Sequence, residues 1–157
     1  MTYRIQKQKF RHVPDALIAG DCHRTSIACC LNLPRDEVPH YFGDFFFIMK
    51  PEEAWLKARQ SWREWLQVRG VDFYDFALSE ELTVEEVVEL SKTFHPTAHM
   101  ILSGQSANET NHSVVISGGK IVCDPAIDNS GIKGPMLVDG KPVGYAITIF
   151  ISMLTVD

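Results

Sequence analysis

An α+β domain is predicted, with helices leading and an antiparallel sheet following, and three features of the sequence predict it. Apolar residues recur at helical spacing through residues 22–33, 51–69 and the stretch after Thr83. Short runs rich in Val and Ile, punctuated by Gly and Pro, dominate from residue 98 onward. No repeat, low-complexity tract or linker divides the 157 residues, so the expected domain spans 1–157. A chain of this length buries roughly 68–70% of its unfolded surface, enough for a core without staples.

The elements follow in order. Residues 2–11 alternate polar and apolar side chains and read as a short edge strand. Gly20-Asp21 precedes a helix over 22–33, with Ile27, Leu31 and the pair Ala28/Cys29 on one stripe. Pro34 stops that helix and Pro39 keeps the following loop extended. The aromatic stretch 42–48 reads as strand or loop. Pro51 suits a first helical turn, with Glu52 and Glu53 near its positive end, and Gly70 terminates that helix near Arg69. Trp55, Trp62 and Trp65, with Leu66, lie near one face and read as packing; Trp62 or Trp65 lining a substrate groove is the alternative. Thr83 and Glu86 have capping-box spacing, opening a helix that turns Val84, Val87, Val88 and Leu90 inward. Strands are expected at 98–102, 112–117, 120–124 and 144–154. Helices before sheet suggest a cleft between two halves.

Bulk properties narrow the function classes. Hydrophobic residues at 45% and charged residues at 22% are those of a soluble globular protein. A net charge of −5 argues against general nucleic-acid binding, which wants a basic face. The short basic stretch Arg4, Lys7, Lys9 and Arg11 reads as a solvated strand face. No apolar leader opens the chain, and the longest apolar run, 144–156, is shorter than the ~20 residues of a membrane span. Cys22, Cys29, Cys30 and Cys123 have no disulfide-framework spacing, so a reduced, cytoplasmic setting is expected.

Cys22 is the first candidate for chemistry. It stands at the first turn of a helix, where unpaired N–H groups and a partial positive charge favour thiolate over thiol and can receive an oxyanion. Gly20 permits a tight turn that keeps the thiol accessible. Cys29 and Cys30, further along the same helix, read as small core residues.

The second candidate is the hairpin 111–126, Asn-His-Ser-Val-Val-Ile-Ser-Gly-Gly-Lys-Ile-Val-Cys-Asp-Pro-Ala. A two-residue Gly-Gly loop pairs Ser117 with Lys120 and places His112 and Asp124 on opposite faces. A three-residue loop, residues 117–119, pairs Ile116 with Lys120 and sets His112 directly opposite Asp124, with Cβ atoms about 4.5–5.5 Å apart. The second register is the expected one, because the carboxylate can then accept from one imidazole nitrogen while the other meets a thiol. It also turns Cys123 away from His112. His23 points about 100° away from Cys22 around the helix and is a poor base for it, though it could face a substrate. His12, His40, His95 and His99 read as surface or loop residues.

Gly20-Asp21-Cys22 at a helix start, then His112-Ser-Val-Val and Asp124-Pro-Ala far downstream, resembles the papain-like cysteine peptidases. The pattern is nearest to the bacteriocin-processing peptidases that cleave double-glycine leaders. It is similar, too, to short bacterial and phage chains that combine a Gly-Asp-Cys start with a Leu-Pro…Val-Pro stretch, here at 33–34 and 38–39, and a tryptophan-rich helix. The leader-peptidase resemblance rests on two short blocks and implies a papain-like fold with a Cys22–His112–Asp124 site. Leader peptidases carry an oxyanion glutamine six residues before the cysteine, where this chain has Ala16; Gln6 and Gln8 stand further upstream. His23 stands where those enzymes have glycine.

The expected function is therefore that of a thiol hydrolase or acyltransferase: peptidase, isopeptidase, deamidase, amidase or transglutaminase. Its substrate would be a peptide, protein or small amide, with specificity in loops such as 40–50, 103–111 and 127–143. No cofactor, nucleic acid or membrane is called for. A non-catalytic binding module on the same fold is the main alternative. A metal site on Cys22, His23, His112 and Cys123 is the weakest, since no ligand-pair spacing is present.

Overall fold

The structure, a computed structural model, describes residues 2–153; Leu154 and the last residues of the longest apolar run lie outside it. The mixed helical and antiparallel architecture is as expected. Among the described residues four α-helices, α1 (Cys22–Leu31), α2 (Tyr41–Phe45), α3 (Pro51–Gln67) and α4 (Val84–Phe94), accompany six strands. These are β1 (Val71–Leu78), β2 (Met100–Gln105), β3 (Asn111–Ser117), β4 (Lys120–Cys123), β5 (Met136–Val138) and β6 (Lys141–Ser152). The strands are antiparallel in the order β1-β6-β2-β3-β4, with β5 paired to the start of β6.

The segregation of helices from sheet is incomplete. β1 enters the sheet between α3 and α4, so the sheet has a layer on each face rather than lying beside one helical half. Alternation along the central strands builds both cores. Ile101, Val115 and Cys123 face Ile27, Ala28, Cys29 of α1 and Ala58 and Trp62 of α3. Met100, Leu102, Val114 and Ile116 face Val87 and Val88 of α4, with Tyr145 and Ile147 of β6.

Local chemistry explains most boundaries. α1 ends at Asn32, which adopts the left-handed conformation (φ 57°) and lets its N–H reach the carbonyls of Ala28 and Cys29, two residues before Pro34 can act. Pro51 opens α3, and Trp62 is buried with its indole N–H donating to the Pro39 carbonyl at 2.8 Å, so packing is its role. The Thr83–Glu86 capping box forms in both directions. In α4, Ser91 turns inward where Leu90 was expected to, and Leu90 is exposed. The aromatic stretch divides: residues up to Phe45 belong to the short helix α2 rather than a strand or loop, and 46–48 are turn.

Residues 2–11 form no strand. Side chains and scattered backbone groups, rather than a ladder, make their tertiary contacts: Arg4 caps the Cys29 and Cys30 carbonyls at the end of α1, Gln6 Nε2 donates to the carbonyls of Tyr3 and Leu33, and the Gln8 N–H donates to the Pro125 carbonyl. The basic residues are thus partnered within the chain, rather than forming a free strand face.

Candidate active site

α1 brings Cys22 to a cleft of about 300 Å³ whose walls include His112, Gln8, His12, Gly20, Ser106 and Asn111. The helix is anchored at its head by Asp21, although not as a side-chain cap. The Asp21 carboxylate is buried and accepts from the backbone N–H groups of Lys9 and Phe10 and from Arg24 Nε at 2.9 Å. A buried charge persists only with such partners. The first-turn N–H groups of α1 keep their usual freedom from intrahelical bonding.

His112 and Asp124 come together, but by another route than the expected register. The loop is the two-residue Gly118-Gly119 turn, both glycines at positive φ (60° and 75°), pairing Ser117 with Lys120 and Ile116 with Ile121. Continued unchanged, that register sends the two side chains to opposite faces. A bulge intervenes, and Val115 pairs with Cys123, leaving Val122 as the extra residue. The shift by one restores the shared face, with Asp124 diagonal to His112 rather than opposite it. His112 Nε2 meets Asp124 Oδ1 at 2.7 Å.

Asp124 is held on every side. Its Oδ1 also accepts from the Ala126 N–H at 2.9 Å and its Oδ2 from the Gly131 N–H at 2.7 Å. Burial pushes its carboxyl up in pKa, and these hydrogen bonds, His112 first, overcome that and hold it below the ordinary carboxylate value. For His112, burial acts to lower the pKa, yet hydrogen bonding to Asp124 and Cys22 and the charges of both raise it to about 10. Since Nε2 is engaged by Asp124, Nδ1 is the nitrogen left to face Cys22.

Gly20 serves a purpose other than the expected tight turn. Its φ is not in the left-handed region, and a Cβ there would meet the His12 Cβ at 2.9 Å. Glycine lets His12 close against the chain, where His12 Nδ1 accepts the Gly20 N–H at 3.1 Å. His12 is accordingly a cleft residue, not merely a loop one. Of the two upstream glutamines, Gln6 is occupied by Tyr3, Leu33 and the Arg35 N–H, whereas Gln8 lines the cleft. Gln8 Nε2 donates to the Phe10 carbonyl at 2.6 Å and its Oε1 is buried without a partner. Sequence distance from Cys22 concealed His12 and left Gln6 and Gln8 unassigned; the return of His12 and Gln8 to the helix head depends on the fold of the N-terminal arm.

Two other candidates point elsewhere. His23 is buried away from the cleft, among Trp55, Trp62 and Arg59. Cys123 faces α1, its sulfur 3.4 Å from that of Cys29, and Cys30 is buried beside them. The four residues considered as metal ligands therefore do not converge, and among the described residues no group of three or more His, Cys, Asp or Glu side chains is arranged to hold a metal ion. Among the described residues no helix is long and apolar enough to cross a membrane.

Compared with protein-family models, with curated proteins and with solved structures, the chain matches none.

Proposed function

We propose that the chain is a papain-like thiol hydrolase or acyltransferase using Cys22 as nucleophile, His112 as acid–base and Asp124 to orient the imidazole. The observation that carries this reading is the 2.7 Å bond between His112 Nε2 and Asp124 Oδ1, which leaves Nδ1 toward Cys22 at a helix head in an open cleft. With Nδ1 turned to the thiol, nucleophile, base and orienter would stand in the relation that thiol catalysis requires.

The chemistry follows from that arrangement. A thiolate at Cys22, paired with protonated His112, attacks the carbonyl carbon of an amide, and the C=O electron pair moves to oxygen. First-turn N–H groups of α1 and the amide of Gln8 are the donors at hand for that oxyanion. His112 passes its Nδ1 proton to the departing amine nitrogen as the C–N bond breaks, leaving a thioester on Cys22. Water, or an acceptor amine, gives a proton to His112 while adding to the thioester, and the thiolate departs. The raised pKa of His112 supports its service as the proton donor at neutral pH.

Peptide, protein and small-amide substrates all suit a cleft of this size, whose walls carry Ser106, Asn108, Thr110 and Ser130. The test is alkylation by chloroacetamide followed by mass spectrometry, together with turnover on amide and ester panels. Rapid modification confined to Cys22, lost in Cys22→Ala and slowed at least tenfold in His112→Ala, supports the reading. Modification at the rate of a free thiol, indifferent to His112, overturns it and favours a binding module.

A further inference from the structure

His23 follows Cys22 on α1, and Ser113 follows His112 on β3. The two followers are joined by a buried hydrogen bond, His23 Nδ1 to Ser113 Oγ at 2.9 Å. A guanidinium can only donate, so Arg59 Nη1, at 2.8 Å from His23 Nε2, fixes that nitrogen as the acceptor. Nδ1 therefore carries the proton and donates it to Ser113. Arg59 is in turn held by Asp75 of β1, whose other oxygen accepts from Thr148 Oγ1 of β6 at 2.6 Å. Beyond Ser113 the chain continues to Ser103 Oγ of β2 at 3.1 Å.

Resting on the reading of Cys22 and His112 given above, we infer that His23 is a positioning residue: the Arg59–His23–Ser113 chain fixes the spacing between the thiol and the imidazole. The tie joins residues one step removed from each reacting group. Any sliding of α1 over β3 that changes their separation must stretch it, and a buried donor left unpaired resists that motion. Packing alone does not call for histidine here. The ring sits 4.8 Å from Trp55 and 5.1 Å from Trp62, centroid to centroid, in surroundings that an apolar side chain would fill as well. Burial and the Arg59 charge both hold His23 neutral, well below the ordinary histidine range, so the tie keeps one tautomer across neutral pH. Arg59 is the charged group against His23, and Cys22 and Asp124 are those against His112; Arg11, His12 and Asp128 line the cleft beyond.

The experiment is the pH dependence of Cys22 alkylation by iodoacetamide in the full chain, with thermal melts to confirm folding. Ser113→Ala and His23→Leu are expected to move the acid limb upward by about one pH unit and to slow labelling at pH 6 about tenfold. His23→Asn, which keeps a donor near the Nδ1 position, should recover most of that loss. Ser26→Ala removes another α1–β3 bond, Ser26 Oγ to the Ser113 carbonyl at 3.3 Å, and should leave the profile in place. Wild-type profiles in folded Ser113→Ala and His23→Leu, or an equal shift in Ser26→Ala, overturn the inference. Labelling that is insensitive to His112→Ala in the unmodified background defeats the earlier reading, and the inference with it.

Discussion

The ammonium of Lys7 donates to the main-chain carbonyl of Asp124 at 2.9 Å, and to the Ala126 carbonyl and Asn129 Oδ1 at 2.7 and 2.6 Å. The irregular N-terminal arm thus holds, from behind, the turn whose carboxylate grips His112. Lys7→Met should cost about 1 kcal/mol in chemical denaturation, the scale of a partly exposed hydrogen-bonding group. It should also slow Cys22 alkylation, because the carboxylate loses a fixed seat. A variant with unchanged denaturation and unchanged labelling would show the arm to be dispensable.

Asp124→Asn is nearly isosteric but cannot impose the same imidazole tautomer. Turnover should fall by up to about 10⁴-fold while the chain stays folded. The His112 ring pKa, followed by NMR, should drop well below its value of about 10 in the parent chain. An unmoved ring titration would mean that the 2.7 Å contact carries little of the imidazolium's stability.

The raised pKa of His112 also sets the sign of a stability change with pH. A group whose pKa rises on folding binds its proton more tightly in the folded state. Its contribution is fully present below the unfolded value of about 6.5 and is lost as pH climbs toward about 10. Unfolding free energy should therefore fall between pH 7 and pH 10, and the slope should flatten in His112→Gln. Asp124, held low by its hydrogen bonds, acts oppositely: its contribution is present above the usual carboxylate range and is lost on acidification through its folded pKa. A parent chain and His112→Gln variant with parallel profiles from pH 7 to 10 would contradict the first statement.

Gln8 Nε2 carries two N–H donors: one goes to the Phe10 carbonyl at 2.6 Å, and the other is the one that can serve an oxyanion. Gln8→Ala should reduce kcat by about 10²–10³-fold, the usual cost of one oxyanion donor, with Cys22 alkylation little altered since alkylation forms no oxyanion. Equal losses in both assays would assign Gln8 to the architecture of the cleft instead.

Legibility followed the range of the forces involved. The Thr83–Glu86 box and Pro51 start were readable because their partners lie within one helical turn. So were Cys22, His112 and Asp124 as candidates, since a helix head and a hairpin are local objects. β1 escaped notice because Asp72 and Asp75 interrupt its apolar pattern; their partners, Arg63 and Arg59, come from α3 and exist only in the fold. The N-terminal arm alternates like a strand, but long-range side-chain bonds claim its residues before a ladder can. The extra residue at Val122 leaves no mark in composition, so the hairpin's true register was hidden even though its outcome for His112 and Asp124 was foreseen.

Three of the four thiols, Cys29, Cys30 and Cys123, are 0%, 8% and 3% exposed, while Cys22 opens on the cleft. The native chain should therefore take up one equivalent of a bulky alkylating reagent and the denatured chain four. Uptake of the second to fourth equivalents then clocks how often the helix–sheet core opens, giving a stability readout that needs no knowledge of the substrate.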